Sequence, residues 1–271
     1  AIVRMSMKQH SFLIMGMVFF GLACSPKVDN NKKTTVSRNE YTMAALNWMQ
    51  ISGEYRALCY QAFNVARMTL DVELSKKPAK KPAVVVDIDE TVLDNSPYQA
   101  RQIANGEQYP VGWQSWTDEA KAMAVPGAKE FLNYAVSKGA DVFYITNRRP
   151  SEAPGTLNNL RSLGFPQADT LHIMFREAES NKEARRRKVS ETHSILVLCG
   201  DNLNDLSDAY DGRLNPERNQ RVDQMKNEWG HRFIVLPNPL YGDWDGAMFN
   251  YNFNLSDAAK DSARKAVLRM N

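Results

Sequence analysis

Apolar and polar positions fall into two alternating patterns along most of this chain. The sharpest apolar run, Val84-Val85-Val86, is entered through Pro78 and Pro82 and left through Asp87-Ile88-Asp89. Three β-branched residues in succession predict a strand buried on both faces. Further apolar runs predict strands over residues 141–145, 170–175, 194–199 and 232–236. Between them, apolar residues recur at helical spacing and predict helices over 127–137, 151–163, 182–191 and 202–211. Ahead of the first strand, Leu46, Met49, Tyr55, Leu58, Ala62, Val65 and Met68 share that spacing, so 40–76 reads as helix. Residues 256–271 read as a last amphipathic helix. Strands alternating with helices predict an α/β fold, a doubly wound parallel sheet with helices on both faces.

The N-terminus follows another logic. Arg4 and Lys8 precede an apolar run over 12–23 that is too short to span a bilayer, which takes about 20 residues. It ends in Gly21-Leu22-Ala23-Cys24 and gives way to polar residues. A small residue before Cys at the end of such a run resembles a bacterial lipoprotein cleavage site. Residues 1–24 are therefore expected to be a signal peptide, Cys24 the lipidated residue and 25–40 a polar linker. The folded domain is expected over 41–271, and Met5 and Met7 stand as candidate starts. Lipidation would anchor the mature protein to a membrane, and Ser25 resembles the outer-membrane sorting pattern.

The length suits one globular domain. A net charge of +3 argues against a nucleic-acid binder, which usually carries a strong basic stripe. The run Arg185-Arg186-Arg187-Lys188 reads as a solvated helix face. Cys59 and Cys199 could pair outside the cytoplasm, but Cys199 lies within an apolar run, so both read as small core hydrophobes. Trp48 and Tyr55 read as packing residues. His172, His193 and His231 show no metal-ligand spacing.

The chemistry concentrates where apolar runs end on acids. Asp87 and Asp89 close the first predicted strand, and Gly200-Asp201-Asn202-Leu203-Asn204-Asp205 follows the run over 195–199. Carboxylates are costly to hold in a dry place without a partner. At the carboxyl end of a parallel strand, however, ligands bind and a cation can neutralise the acids. An Asp there can attack phosphorus and form an aspartyl-phosphate. A second Asp two residues later can protonate the leaving oxygen and then activate water. Mg²⁺ commonly takes one or two carboxylates beside phosphate oxygens and waters, so Asp201 completes a candidate set. Calcium loops fit badly, because Leu203 stands where an oxygen ligand is wanted. None of Cys24, Cys59 or Cys199 has an Arg six positions on, and no His is flanked as Arg-His-Gly, so other phosphatase signatures are missing.

Asp87-Ile88-Asp89-Glu90-Thr91-Val92 resembles the first motif of the haloacid dehalogenase (HAD) superfamily, and the acids at both places resemble its phosphatases. Ile145-Thr146-Asn147-Arg148, Ser180-Asn181-Lys182-Glu183 and Gly200–Asp205 resemble the second, third and fourth motifs. The resemblance implies Asp87 as nucleophile and Asp89 as acid and base. It implies Mg²⁺ held by Asp87, the carbonyl of Asp89 and Asp201. Thr146, Asn147 and Lys182 would hold phosphate, and Asp205 would position metal-bound water or Lys182. The acid role of Asp89 would be consistent with an acidic optimum.

A closer resemblance rests on Asp94-Asn95-Ser96-Pro97-Tyr98, Trp113 with Trp116, Ala124-Val125-Pro126-Gly127 and Leu236-Pro237-Asn238-Pro239-Leu240-Tyr241-Gly242. With Asn47-Trp48-Met49-Gln50 and Glu54-Tyr55, these are similar to the class C acid phosphatases of the 5′-nucleotidase, lipoprotein e family, over roughly residues 40–250. That implies a HAD-like sheet with an N-terminal helix and a small cap over about 95–124 plus parts of the C-terminal region. It implies phosphomonoesters, 5′-nucleotides among them, as substrates, with Trp113 and Tyr241 stacking on the base. The implied place is the cell envelope, at the outer membrane. A surface haem- or ligand-binding lipoprotein and a phosphotransferase remain alternatives, and a homodimer stays open.

Overall fold

The computed structural model describes residues 38–270. The expected signal peptide with Cys24, and residues 25–37 of the linker, lie outside them. Where one N-terminal helix was expected there are two, α1 (Arg38–Ile51) and α2 (Gly53–Ser75). Ser52 is extended (φ −83°, ψ 141°) and its Oγ accepts the Tyr55 N–H at 3.1 Å, so its side chain caps a new helix where the ladder would have run on. Tyr55, Cys59, Phe63, Ala66 and Leu70 form the buried stripe of α2, which packs on the sheet.

The chain continues through β1 (Lys81–Val86), β2 (Leu93–Asp94), α3 (Ser96–Asn105), α4 (Trp113–Glu119), β3 (Met123–Ala124), α5 (Ala128–Ser137) and β4 (Asp141–Ile145). Then come α6 (Ala153–Leu163), β5 (Ile173–Met174), α7 (Glu183–Thr192), β6 (His193–Gly200), α8 (Leu203–Leu206), α9 (Asn215–Gln224), β7 (Phe233–Val235), α10 (Asp243–Gly246) and α11 (Asp257–Ala266). The strand expected over 170–175 pairs only at Ile173 and Met174. The helix expected over 202–211 stops at Leu206, because Ser207 is extended (φ −155°, ψ 143°) and caps a separate turn through Ala209 N–H. Helices α9 and α10 had no apolar period to announce them.

The sheet has the order β5-β4-β1-β6-β7, all parallel, with β1 at its centre. Alternate residues of β1 face opposite ways: Val84 and Val86 join the cluster under α2 and α5, while Ala83 and Val85 join the one with Val189 and Leu206. Both faces are therefore buried, as the three valines predicted. Cys59 and Cys199 are buried free thiols within the core. The excursion from β1 to α5 is closed at its base by the antiparallel pairs Leu93–Ala124 and Asp94–Met123. Among the described residues, no helix is long and apolar enough to cross a membrane.

Strand order decides where a site can form. From β1 the chain moves one way to β4 and β5, then returns to the other side of β1 as β6. The crevice between the carboxyl ends of β1 and β6 is the switch point at which such sheets bind ligands.

Candidate active site

Asp87 follows β1 directly, and its N–H donates to the Cys199 carbonyl of β6 at 3.0 Å. Asp201 follows β6 directly, so the two acid-tipped strands meet at the switch point. Lys182, at the start of α7, is buried between them at 4% exposure. Its Nζ contacts Oδ1 of Asp87 and lies 2.7 Å from Oδ1 of Asp205. Oδ2 of Asp205 accepts the Asn202 N–H at 3.0 Å, closing the first turn of α8. This close approach needs a glycine: a Cβ on Gly200 would stand 2.4 Å from Asp205 Cβ. One oxygen from each of Asp87, Asp201 and Asp205 can be chosen so that all lie within 4.8 Å of one another.

Three acids around one lysine leave an excess of negative charge. Burial, opposed by Lys182 and reinforced by Asp205 and Asp89, raises the Asp87 pKa to about 7. Burial, with Asp205 and Asp87, pushes Asp201 well above the usual carboxylate range. Burial works against the charge on Lys182, but Asp205 and Asp87 outweigh it and hold the ammonium above its ordinary value. Hard oxygen donors with an uncompensated charge fit a divalent cation.

Asp89 has a separate set of partners. Its Oδ1 accepts from Nε and Nη2 of Arg148 at 3.0 and 2.9 Å, and from Nδ2 of Asn95 at 2.8 Å. Asn95 is held in turn: its Oδ1 accepts from Trp116 Nε1 at 2.9 Å, and its N–H donates to Glu90 Oε1 at 2.9 Å. Arg148 also donates to Thr156 Oγ1 at 2.9 Å, and its guanidinium carbon lies 5.4 Å from the Trp113 ring centroid. A left-handed Glu90 (φ 55°) turns the chain here, so Val92 and Leu93 N–H groups both return to the Ile88 carbonyl.

Thr146 ends up fully buried just past β4, its Oγ1 accepting the Arg148 N–H at 3.1 Å. Its neighbours Asn147 and Arg148 line the cleft. The basic run corrects the expectation of a solvated face. Only its second half is exposed, because the first half meets backbone acceptors. Arg186 is buried, donating to the carbonyls of Asn204 and Asp205 at 3.1 and 2.8 Å. Arg185 is half-buried against residues 146–147.

A cleft of about 300 Å³ opens above these groups, with Asp87, Asp89, Lys182 and Asp201 among its lining residues. Trp113 of α4 and Tyr241 both line it. Trp113 is braced edge-on by Tyr98 and Tyr109, with centroids 5.0 and 5.9 Å away. Asn238 joins the Tyr241 loop to the acids. Its Nδ2 donates to Asp201 Oδ2 at 2.7 Å, while its Oδ1 accepts the Leu240 and Tyr241 N–H groups at 2.9 and 3.5 Å. Asp201 Oδ1 accepts from Thr91 Oγ1 at 3.3 Å.

Sequence reasoning assigned no role to Arg148, Asn95, Asn238 or Gly200. Asn238 stands 37 residues from Asp201, but Arg148, Asn95 and Gly200, two polar or charged and one glycine, lie one to six residues from a motif acid or Thr146. That proximity was the available signal, but their partners come from other elements.

The comparisons with known proteins agree with this geometry. A family model described as HAD superfamily, subfamily IIIB (acid phosphatase) matches residues 20–244. The stem 28 kDa glycoprotein of Glycine max is 25% identical over 210 residues, covering 74% of this chain and 73% of its own. Acid phosphatase 1 of Solanum lycopersicum is 23% identical over 158 residues, covering 58% of this chain and 57% of its own. The structure of the class C acid phosphatase from Bacillus anthracis matches with a TM-score of 0.85 and 44% identity, over 87% of this chain and 100% of that one. A second structure of that enzyme, with tungstate bound, matches with a TM-score of 0.83 and 44% identity, over 86% and 98%.

Proposed function

This chain belongs to subfamily IIIB of the HAD superfamily and is a phosphomonoesterase; we propose that it is a Mg²⁺-dependent enzyme of the cell envelope that cleaves 5′-nucleotides through an aspartyl-phosphate. The observation that carries the mechanism is the meeting of Asp87, Lys182, Asp205 and Asp201 between the tips of β1 and β6.

Asp87 attacks phosphorus and the ester P–O bond breaks as the aspartyl-phosphate forms. Asp89 gives its proton to the departing oxygen, then takes one from the water that attacks phosphorus and frees phosphate and the Asp87 carboxylate. Arg148 and Asn95 occupy Oδ1 of Asp89, which makes Oδ2 the proton-carrying oxygen. Lys182 and the Thr146–Asn147 segment stabilise the oxygens of the transferring group. Asp205 holds Lys182 by one oxygen and the start of α8 by the other. Asp87, Asp201 and the carbonyl of Asp89 would hold Mg²⁺, which when bound would neutralise phosphate oxygens and the excess of buried carboxylates. Tungstate, an oxyanion, binds the Bacillus anthracis relative, which supports an oxyanion cradle here.

Nucleotide preference is supported by Trp113 and Tyr241, two aromatic residues from separate elements lining one cleft. The envelope location is supported by the apolar run over 12–23 that ends at Cys24. Phosphate release from 5′-AMP and from a small aryl phosphate, each with Mg²⁺ and with EDTA, tests the reading. Metal-dependent hydrolysis favouring 5′-AMP is the expected result. Equal rates on both esters would remove the nucleotide preference, and EDTA-insensitive turnover would remove the metal. Cys24→Ala should release the protein from the membrane fraction; continued attachment would contradict the anchor.

A further inference from the structure

Arg185 joins three separate segments of the chain. Its Nη1 donates to the Thr146 carbonyl and, at 3.5 Å, to the Met174 carbonyl. Its Nη2 donates to Asn147 Oδ1 at 2.7 Å and to the carbonyls of Ser180 and Asn181 at 3.3 and 3.4 Å. One guanidinium therefore touches the end of β4, the end of β5 and the loop that enters α7. Thr146 and Asn147 stand on the first of these segments, and Lys182 follows Asn181 on the last.

All five acceptors are neutral carbonyl or amide oxygens, so none cancels the positive charge of Arg185. An arginine whose purpose is an ion pair would sit against a carboxylate, as Arg186 does with Glu183 at 2.8 Å. An arginine that only solubilised its helix would project into water, as Arg187 does with a side chain 73% exposed. The planar fork suits holding several oxygens at fixed positions, which a flexible ammonium does poorly. Burial lowers the pKa of this guanidinium, while Asp87 and Asp205 act to raise it. Its charge thus interacts with the same acids that Lys182 serves.

We propose that Arg185 is a positioning residue for phosphoryl transfer. It fixes the Thr146–Asn147 tip against the Lys182 loop, so that the phosphoryl oxygens of the substrate meet a cradle already assembled. Its charge, hydrogen-bonded to no carboxylate, adds to that cradle's affinity for oxyanions. The inference rests on the phosphomonoesterase reading, which hydrolysis by the unmodified enzyme checks in the same assay.

The experiment compares Arg185→Met, Arg185→Lys and Arg187→Met. It measures kcat and KM on an aryl phosphate, competitive inhibition by inorganic phosphate, and melting temperature. Arg185→Met should raise both KM and the phosphate inhibition constant about tenfold or more and lower kcat, since charge-assisted hydrogen bonds are lost. Arg185→Lys keeps the charge and loses the fork, so it should recover phosphate affinity more fully than kcat. Arg187→Met should match the unmodified enzyme. An unchanged phosphate inhibition constant in folded Arg185→Met would overturn the proposal. Should Arg185→Met fail to fold, Arg185→Lys decides alone: a folded Lys variant with undiminished kcat overturns it, and one with reduced kcat but retained phosphate inhibition upholds it.

Discussion

Arg148 and Asp89 meet through two hydrogen bonds to a single oxygen: Nε and Nη2 donate to Oδ1 at 3.0 and 2.9 Å. Arg148 is nearly inaccessible, and its remaining donors go to Thr156 and Asn95. The carboxylate beside the nucleophile is therefore held in one orientation by a rigid, planar group.

Arg148→Met should cost both chemistry and stability. With Asp89 free to turn, kcat/KM should fall about a hundredfold or more, the scale of a positioned general acid. Asn95 and Thr156 lose a donor, so unfolding stability should drop by about 1–3 kcal/mol. Steady-state kinetics with a denaturant titration measure both, and a folded variant with full activity would exclude Arg148 from orienting Asp89.

Gly200→Ala tests the Asp205–Lys182 contact from behind. The added methyl would stand 2.4 Å from Asp205 Cβ and 2.7 Å from its Oδ2, so Asp205 must shift away from Lys182. A fall in kcat of about tenfold to a hundredfold is expected, with a stability loss of about 1–3 kcal/mol from overpacking. Normal kcat with lowered stability would show that turnover does not need Asp205 on Lys182.

Asn238→Ala should couple two effects that are usually separate. Asp201 Oδ2 loses its 2.7 Å donor, and the Leu240–Tyr241 turn loses the acceptor that shapes it. Divalent-metal affinity should weaken about tenfold to a hundredfold, as on removal of a group that orients a ligand. KM for 5′-AMP should rise while KM for a small aryl phosphate changes less. Metal titrations of activity on the two substrates report this; a change in neither would disconnect Asn238 from the site.

The raised pKa values give the metal-free protein a definite pH response. Asp87 sits at about 7 in the folded state, above a free carboxyl at about 3.9. Between these values the folded chain keeps a proton that the unfolded chain has released. That contribution to stability is full below the unfolded value and is lost as pH rises toward about 7, at up to about 1.4 kcal/mol per pH unit. Asp201 is shifted in the same direction. Since a divalent cation favours the carboxylates, the rise in melting temperature on adding Mg²⁺ should be larger near pH 7 than near pH 5. Comparing samples with Mg²⁺ and EDTA at each pH cancels the remaining acids. A pH-independent rise would contradict the assignment.

Much of the fold was legible because burial on both faces leaves a local record. Val84-Val85-Val86 and residues 141–145 read as strands since nothing polar interrupts them, and the structure reproduces the second, β4, without a residue of difference. The failures have local causes too. Ser52 and Ser207 each offer a side-chain oxygen to a following N–H, and that competition breaks a helix without disturbing the apolar period around it. The basic run misled because charge says nothing about acceptors. Arg185 and Arg186 are drawn inward by carbonyls of segments that the sequence places elsewhere.

The acids at strand ends and the alternation of strand with helix are properties of the sequence, since each follows from neighbouring residues and their period. From these follow the sheet, the edge on which the motifs gather and the family to which the chain belongs. Which groups touch is another matter. Arg148 reaches Asp89 across 59 residues, Lys182 reaches Asp87 across 95, and Asn238 reaches Asp201 across 37. No periodic signal spans such separations. Those pairings arise when parallel register brings the strand tips together and burial obliges each charged group to find a partner there.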